Sequence, residues 1–434
     1  ATTYVQDGDV VPVVAKVRDG RPIKIEGNDM AYTGGATTAR SQASVLDLYD
    51  MYRTKFPLHK VGNGKEAKFE EVPTFEAADD MIGKAITAAG GTVALLTGTV
   101  VSPSTKEIIS KYPNLRHVQY DAVSYSGMLL ANEASFGKRG IPSYDFGAAK
   151  VIVSLGADFL GTWLSPAEFA KGYSKGRKID EKNPVMSKHF HFEGHLSLTG
   201  SNADERYTHR PSETAMVALD LLNAVNGTEG APITDKKLEE GIKKAAAALK
   251  AAGSEGLVVC GSNDKNVQIV VNAINNAIGA YGKTIDWSKP VNYRQGIDSD
   301  FNQLLADMEA GTIGTLMIHG ANPAYTYYDA GRFTKAMDKV KVKVSFSEKL
   351  DETTLLCEYV IPHHHYLESW GDAEPKAGIV SFQQPTIFPL FKTRYFQTSL
   401  LKWSGNNTDY ETYFKTYWTG KLGSDAAFNQ ALKQ

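Results

Sequence analysis

Residues 75–97, FEAADDMIGKAITAAGGTVALLT, contain the unit of structure that repeats along this chain. Apolar residues three and four positions apart predict an amphipathic helix at Phe75–Ala89. The helix is predicted to end at Gly90 and Gly91, and Thr92–Thr97 is a predicted strand. Strands that alternate with helices of about ten to fifteen residues are typical of parallel, doubly wound sheets.

The same alternation extends on both sides of this unit. Helices are predicted at Ala43–Tyr49, Ser212–Val225, Lys236–Ala252 and Val267–Ala280, and strands at Lys150–Leu155, Gly256–Cys260, Thr315–Ile318, Val340–Phe346 and Tyr359–Ile361. Near the amino terminus, Val13–Val17 and Pro22–Glu26 flank Asp19 and Gly20, which is a strong hairpin signal. The sequence therefore predicts an α/β fold.

The composition excludes several classes of protein. The 434 residues carry 47 Lys and Arg against 49 Asp and Glu, so charge gives no argument for a nucleic acid or an anionic membrane as partner. No apolar run reaches about 18 residues, so we expect no membrane span. Cys260 and Cys357 are too few for a cubane iron–sulfur cluster, which needs about four thiolates. The first residues, Ala1–Tyr4, show no export signal.

Several segments, in order, resemble the large subunit of the molybdopterin oxidoreductases of the DMSO-reductase type. They are Val17–Asn28, Gly34–Ser44, Ala149–Gly156, Gly320–Pro323 and Asp351–Glu368. The resemblance implies two doubly wound parallel-sheet lobes and a small β-containing N-terminal piece. It divides the chain into 1–58, a hairpin with a cluster-loop remnant; 59–147 with 284–362, one α/β lobe; 148–283, an inserted Rossmann-like lobe; and 363–434, an irregular extension leading to a missing region.

The positions that would hold a redox cofactor depart from that family's pattern. Residues 1–59 contain no cysteine, and the fourth cluster ligand falls at Thr38, whose hydroxyl is a poor ligand for iron. The family's relay lysine aligns with Arg40. In the first nucleotide loop, Gly-x-Asn-Pro becomes a sequence in which Asp158 repels phosphate and Phe159 crowds it.

A third loop has lost its arginine, because the family's Asp-Pro-Arg falls at Glu193–His195. We interpret the following positions as vestigial: Thr38, Arg40, Gly156, Asp158, Glu193, Gly320 and Asn322. We expect no catalytic, cofactor-binding or metal-binding residues in this chain. Asp121, Ser124 and Ser126 lie where the family places its metal-ligating side chain, and serine fills that role in some members.

Other stretches resemble the B subunit of alternative complex III, a bacterial quinol oxidoreductase whose molybdopterin-like half holds no cofactor. They are Tyr120–Ser124, Ala157–Trp163, Leu198–Asp204 and His365–Asp372. The resemblance implies a periplasmic chain, peripheral on the inner membrane. Its partners would be a membrane-embedded quinol-binding subunit, an iron–sulfur ferredoxin-like domain and cytochrome c subunits. The iron–sulfur clusters would belong to the adjoining domain or partner.

The most metal-like pattern is His189, His191, Glu193 and His195, because alternate residues of a strand share a face. Such a set can bind zinc or copper. The alternative is a polar strand face packed on a neighbouring element, with the intervening phenylalanines in the core. We favour the alternative, because imidazoles and carboxylates often only hydrogen-bond.

Three weaker patterns complete the candidates. Consecutive residues His363–His365 point in different directions, so we expect no shared ion. Asp145, Asp158 and Glu193 could form a paired-carboxylate acid/base site, but a salt-bridged or solvated surface is favoured. The loop Gly98–Ser104 could cradle an anion, although such loops more often cap the following helix, here through Ser104.

The expected role is therefore a non-catalytic scaffold in a respiratory quinol:cytochrome c or oxygen-reductase complex, where it positions an adjacent iron–sulfur domain. Two alternatives remain. One is an active molybdopterin oxidoreductase with an atypical metal ligand, which metal analysis would reveal. The other is the cofactor-free large-subunit lobe of a complex-I-type dehydrogenase. That protein would be cytoplasmic, so an export signal in the full-length precursor would distinguish the two readings.

Overall fold

The computed structural model describes residues 1–6, 9–62, 64–179, 181 and 184–433. The strands are β1 Thr2–Gln6, β2 Asp9–Arg18, β3 Arg21–Gly27, β4 Leu58–Val61, β5 Lys68–Glu71, β6 Thr92–Thr97, β7 Leu115–Gln119, β8 Ile141–Tyr144, β9 Val151–Leu155, β10 Lys188–Glu193, β11 Glu205–Thr208, β12 Gly256–Cys260, β13 Ile285–Val291, β14 Ile313–His319, β15 Val342–Ser345, β16 Tyr359–Val360, β17 Gly371–Lys376 and β18 Ile379–Gln383.

Helices connect most of these strands. They are α1 Ala39–Leu48, α2 Phe75–Ala89, α3 Pro103–Lys111, α4 Ser126–Phe136, α5 Pro166–Arg177, α6 Leu198–Ser201, α7 Thr214–Asn226, α8 Lys236–Ala252, α9 Lys265–Ala277, α10 Asp298–Glu309, α11 Pro323–Thr326, α12 Ala330–Met337, α13 Phe396–Trp403, α14 Tyr410–Leu422 and α15 Asp425–Ala431. The predicted helix at 75–89 and strand at 92–97 are confirmed with the same bounds.

The N-terminal piece is an antiparallel sheet, β1-β2-β3, covered on one side by α1. The predicted hairpin is confirmed, because Asp19 and Gly20 form the turn between β2 and β3 with positive φ angles of 48° and 76°. Ile25 packs with Val45 and Leu48 of α1 in a small core of its own.

The inserted sheet has the order β11-β10-β9-β12, and all its pairings are parallel. β9 and β12 are buried at every position and β10 at all but its first, whereas the edge strand β11 is only partly buried. This continuous burial explains why β9 and β12 have no polar alternation in the sequence: both faces of the sheet are covered by helices.

The large sheet has the order β5-β4-β16-β15-β14-β6-β7, with parallel pairing from β16 to β7 and antiparallel pairing at β4 and β5. One face packs on α2, α3 and the last helices through Leu95 and Met317. The other face packs on α10 and α12 through Leu96 and Leu316. Helices on both faces make this sheet doubly wound.

A fourth sheet, β18-β17-β13-β8, is antiparallel. It includes part of the segment that the sequence predicted to be irregular from residue 363 onward, and that prediction is wrong in its local structure: β17 and β18 are followed by helices α13, α14 and α15. Phe414 and Trp418, four positions apart on α14, are buried on one face together with Phe396 and Tyr410. These aromatic residues, taken for a loop-rich tail, are core positions of the large sheet.

Candidate functional site

In doubly wound sheets, ligands bind at the carboxyl ends of the strands, where the strand order reverses. In the inserted sheet that point lies between β9 and β12, next to Gly156 and Gly261. In the large sheet it lies between β6 and β14, next to Gly98 and Gly320. We call these places the inserted-sheet mouth and the large-sheet mouth. Together they form the candidate functional site.

The inserted-sheet mouth is filled by backbone. A Cβ atom on Gly261 would lie 2.3 Å from the carbonyl oxygen of Gly156, and a Cβ on Gly127, at the start of α4, would lie 1.9 Å from the carbonyl oxygen of Asn263. The Gly127 amide also donates to Asn263 Oδ1 at 2.8 Å. The loops are in direct contact, so no space for a phosphate group is left between Gly156 and Gly261 or between Gly127 and Asn263.

Asp158 follows β9, where the sequence predicted a vestigial nucleotide loop. Its Oδ1 accepts hydrogen bonds from the Thr199 amide at 3.0 Å and the Thr199 hydroxyl at 2.7 Å. A Cβ on Gly161 would lie 2.1 Å from Asp158 Oδ2, so the loop folds tightly around this carboxylate. The Thr199 amide and hydroxyl could donate to a phosphate oxygen, but they donate instead to Asp158, a carboxylate of the protein itself.

Glu193, at the end of β10, accepts hydrogen bonds from the same turn around α6 that donates to Asp158. Its carboxylate accepts from the Ser197 amide at 3.2 Å, from His191 Nε2 at 3.0 Å and from Arg206 Nε. Burial raises the pKa of Glu193, but the hydrogen bonds from Arg206 and Ser197 outweigh it and hold the pKa below its ordinary value. Glu193 is therefore a charged hydrogen-bond acceptor inside the protein.

The three carboxylates that were considered for a paired acid/base site, and judged more typical of a salt-bridged or solvated surface, are only partly brought together. Asp158 and Glu193 meet at the turn around α6, whereas Asp145 precedes β9 and so lies at the opposite end of that strand. Asp145 Oδ1 instead accepts from the amides of Gly147 and Ala148, at 2.9 and 3.1 Å.

The histidines of β10 are buried hydrogen-bonding residues. His189 Nδ1 lies 3.2 Å from the Tyr173 hydroxyl, and burial, then the neighbouring His191, lowers the pKa of His189 to about 3. Burial also lowers the pKa of His191, against the effect of Glu193. The prediction that His195 shares their strand face is wrong, because β10 ends at Glu193 and His195 is exposed. Within the described ranges, no three His, Cys, Asp or Glu residues are grouped to hold a metal ion.

The large-sheet mouth is filled by an aromatic contact and by hydrogen bonds. The rings of His319 and Phe396 stack with centroids 3.7 Å apart, beside the close approach of Gly98 to Gly320. Asn322 Oδ1 accepts from the Thr353 amide at 3.1 Å and the Thr353 hydroxyl at 2.7 Å. The oxygen of the Asn322 side chain is therefore already hydrogen-bonded within its own chain.

The loop Gly98–Ser104 binds a carboxyl group, and this group is a side chain of the protein. The Asp372 carboxylate, from β17, accepts from the Ser104 amide at 3.2 Å, the Ser104 hydroxyl at 2.9 Å, Trp418 Nε1 at 2.7 Å and the Ser102 hydroxyl. Burial raises the pKa of Asp372 and these hydrogen bonds partly offset the rise. Ser102, not the predicted Ser104, caps α3.

The candidate metal-ligand side chains also accept hydrogen bonds from groups of the same chain. Asp121 Oδ2 accepts from the Thr99 hydroxyl at 2.7 Å and the Gly296 amide at 2.8 Å. Ser124 Oγ accepts from the Ser126 amide at 3.0 Å, and Ser126 Oγ accepts from the Asp298 amide at 3.2 Å. These side chains hold loops together around the start of α4 and α10.

The segment that was interpreted as a cluster-loop remnant contains the start of helix α1. Thr38 is the N-cap of α1 and accepts from the Ser41 amide at 3.1 Å. Arg40 forms an ion pair with Asp9 at 2.7 Å. Both cysteines are buried, and burial raises the pKa of Cys260 to about 12, so this thiol stays protonated.

The three consecutive histidines have different partners, as predicted. His363 Nδ1 lies 2.7 Å from the His364 carbonyl oxygen, His364 Nδ1 lies 2.6 Å from the Thr393 hydroxyl, and His365 Nδ1 accepts from the Leu367 amide at 3.3 Å. Beside them is a feature that sequence reasoning missed, a buried ion pair between Arg53 and Glu368.

The fold and the two mouths define the class of this chain: it has the fold of the molybdopterin oxidoreductases. It superposes on acetylene hydratase from Pelobacter acetylenicus with a TM-score of 0.71, at 12% sequence identity, over 100% of this chain and 74% of that one. A chain of the formyltransferase/hydrolase complex from Methylorubrum extorquens, solved with methylofuran, aligns with a TM-score of 0.54 at 11% identity, over 80% of this chain and 98% of that one.

One particular relative is found by sequence, the menaquinone reductase molybdopterin-binding-like subunit of Nitratidesulfovibrio vulgaris strain Hildenborough. The two are 23% identical over 91% of this chain, which spans 63% of the relative's length. No family model matches the sequence. Among the helices of the described residues, none combines the length and apolar character needed to cross a bilayer.

The fold class implies a pterin cofactor, and the residues present do not fit one. At the inserted-sheet mouth the loops are closed by backbone contact, and the donors of Thr199 are taken by Asp158. The donors at the start of α3 are taken by Asp372. A bound phosphate would also be repelled by these carboxylates. No reaction step through a pterin is therefore derived for this chain.

Proposed function

We propose that this chain is a cofactor-free, non-catalytic subunit of a respiratory, quinone-linked electron-transfer complex. The observation that carries the proposal is the replacement of external anions by internal carboxylates: Asp158 bonds Thr199, and Asp372 bonds the start of α3. Breaking these bonds would leave buried donors unsatisfied, so a phosphate must compete with a carboxylate that is already in place.

The relative named above supports the quinone-linked part of the proposal, since it is described as a molybdopterin-binding-like subunit of a menaquinone reductase. The resemblance to the B subunit of alternative complex III supports a finer version. In that version the partners are a membrane-embedded quinol-binding subunit, a ferredoxin-like iron–sulfur domain and cytochrome c subunits. This chain holds no cofactor, the clusters belong to the adjoining domain or partner, and the assembly is periplasmic and peripheral on the inner membrane.

The proposed role is to position redox groups held by others. Functional groups need a rigid support to keep a fixed geometry. Two doubly wound sheets, each covered by helices on both faces, and the buried ion pair between Arg53 and Glu368 are elements of such a support. That role requires interfaces rather than reactive side chains.

The alternative of an active molybdopterin enzyme has less support. Its candidate ligands Asp121, Ser124 and Ser126 each accept a hydrogen bond from a backbone amide of the same chain. To ligate a metal, these side chains would have to give up those bonds.

Metal and pterin analysis of the purified native assembly tests the proposal. Molybdenum and tungsten are measured by plasma mass spectrometry, and pterin by fluorescence after oxidation, before and after this chain is separated from its partners. We expect neither metal nor pterin with this chain, while iron in the partner fraction serves as the internal control. Molybdenum with pterin in equal amount to this chain would overturn the proposal.

A further inference from the structure

Exposed apolar side chains are concentrated on one region of the N-terminal piece. They are Val17, Ile23, Leu46, Tyr49, Met51 and Tyr52, and we call them the α1–hairpin patch. Leu46, Met51 and Tyr52 are 72%, 81% and 83% exposed. Single exposed apolar residues are ordinary on a protein surface, but a contiguous group marks an interaction site.

Hydrogen bonds and local geometry make the patch continuous. The Tyr49 hydroxyl donates to the Pro22 carbonyl oxygen at 2.8 Å, which brings the end of α1 onto the hairpin strand that contains Ile23. Val17 pairs with Pro22 across the hairpin. Leu46 precedes Tyr49 by three positions and so shares its helix face.

The turn after α1 extends the patch. Asp50 Oδ1 accepts from the Tyr52 amide at 2.9 Å, which fixes the turn that presents Met51 and Tyr52. Lys349 pairs with Asp50 at 2.6 Å and ties the turn to the large sheet. The two most exposed members therefore project from an anchored segment.

The fold leaves this face uncovered because α1 is too short for the hairpin. Val13 and Ile25 are buried against α1, in the same core as Val45. The helix ends at Leu48, so α1 does not extend over the far end of the hairpin. Each Å² of apolar surface left in water costs about 25 cal/mol, which a docked partner would recover.

The charges around the patch indicate the chemistry of the partner. Lys24 is paired with Glu26, and Lys349 with Asp50. Lys16, Arg18 and Arg21 are exposed, and in the part of the chain that the structure describes none of them lies within 4 Å of a carboxylate. Asp19, in the turn between the two arginines, is also exposed, so the rim carries a net positive charge. An unpaired basic rim around an apolar centre is complementary to a surface with an apolar centre and carboxylates at its rim.

We propose that the α1–hairpin patch docks a partner protein whose surface has an apolar centre and an acidic rim. The proposal rests on the proposed function in one respect, that the partner is a subunit of the same electron-transfer assembly. It goes beyond that function by naming the surface and the chemistry of the contact.

Zero-length cross-linking of the native assembly with a carbodiimide provides the first test, because this reagent joins amines to adjacent carboxylates. We expect an amide link between Lys16 and an Asp or Glu of a co-purifying subunit, found by mass spectrometry of the digested product. Lys16→Arg keeps the charge but removes the amine, so it should lose the link and retain the assembly. If Lys16 forms no cross-link to a partner subunit in the assembly, the proposal is wrong.

Variants provide the second test. Ile23→Ser with Met51→Ser, and Arg18→Glu with Arg21→Glu, should each weaken the affinity for the partner subunit at least about tenfold, since interface anchors dominate binding. Leu219→Ser and Lys237→Glu change similarly exposed residues of the inserted lobe and should leave the affinity unchanged. Unchanged thermal midpoints show that the variants are folded.

Other outcomes exclude this partner. If the patch variants keep full affinity for the partner but no longer bind vesicles of anionic lipid, the patch contacts a membrane and the proposal is wrong. If they only convert a dimer of this chain into monomers, the occupant is a second copy and the proposal is again wrong. If the wild-type chain co-purifies with no quinone-linked subunit, the proposed function itself fails.

Discussion

Arg53 and Glu368 form a bidentate ion pair in the protein interior: Nη2 lies 2.7 Å from Oε2, and Nη1 lies 3.2 Å from Oε1. The two side chains are 1% and 0% exposed, although 315 positions separate them in the sequence. Glu368 also accepts from the amides of His365 and Leu390, at 3.0 and 2.9 Å. The pair joins the segment after α1 to the segment after β16.

Removal of one partner should be strongly destabilising. Arg53→Met leaves Glu368 as an uncompensated buried charge, and we expect it to lower the free energy of unfolding by about 3–5 kcal/mol. The double variant Arg53→Met with Glu368→Leu should cost less than Arg53→Met alone, because Glu368 no longer remains as an unpaired buried charge, although Glu348, the second ion-pair partner of Arg53 at 3.2 Å, still loses the arginine. Urea unfolding measures both. Lys84→Met, which breaks an exposed pair with Asp80, is the control and should change stability by less than about 1 kcal/mol.

In a variant that lacks the Asp158 carboxylate, a small carboxylate added to the solution should take its place, whereas phosphate should not. Asp158→Ala leaves the Thr199 amide and hydroxyl unpaired, which we expect to cost about 1–3 kcal/mol. Formate should restore part of the loss in thermal midpoint, because it matches the missing group. Inorganic phosphate should have no comparable effect, since Gly156 and Gly261 are in contact. Strong stabilisation of the wild-type chain by phosphate would contradict the proposal that this mouth is filled.

Two glycines in helices should respond to alanine in opposite directions. Gly127→Ala places a methyl group 1.9 Å from the carbonyl oxygen of Asn263, so the start of α4 must shift, at a cost of about 1–3 kcal/mol. Gly83, in α2, has nothing within 4 Å of the added atom, and Gly83→Ala should stabilise the protein by about 0.5–1 kcal/mol. Equal effects in urea unfolding would show that the contact at Gly127 is absent.

Stability should fall as the pH is lowered below about 6.5, the pKa of an unfolded histidine. Burial lowers the pKa of His189 to about 3, so between these values the unfolded chain binds a proton that the folded chain does not. At pH 5 this histidine alone should cost roughly 2 kcal/mol. His189→Gln should reduce the dependence of the unfolding free energy on pH between 5 and about 7.5.

Buried carboxyls act with the opposite sign. Burial raises the pKa of Asp372, so the folded chain retains its proton to higher pH and stability is lost as the pH rises through that pKa. The comparison of His189→Gln with wild type isolates the histidine from this opposing effect. An identical pH dependence for the two would disprove the assignment to His189.

Local patterns in the sequence were sufficient to predict much of the fold. The hairpin around Asp19 and Gly20, the helix Phe75–Ala89 and the strands at β6 and β12 follow from turn chemistry and from the spacing of apolar residues. These signals depend on neighbours within a few positions, and backbone geometry alone sets their period. The fold class predicted from the order of the segments is confirmed by the likeness to acetylene hydratase.

Whether the candidate site is open or closed was decided by the tertiary structure. The sequence predicted that Asp158 would repel a phosphate and that the loop Gly98–Ser104 would more often cap its helix than hold an anion. Asp372 reaches Ser104 across 268 positions, and no local pattern predicts that contact. Tyr410, Phe414 and Trp418 do stand four positions apart, a helical spacing that the prediction of a loop-rich tail overlooked, but only the packing of α13 and α14 shows that they belong to the core of the large sheet. Spacing along the chain determines which residues share a face, whereas the partner of a buried polar group depends on which distant segments the fold brings together.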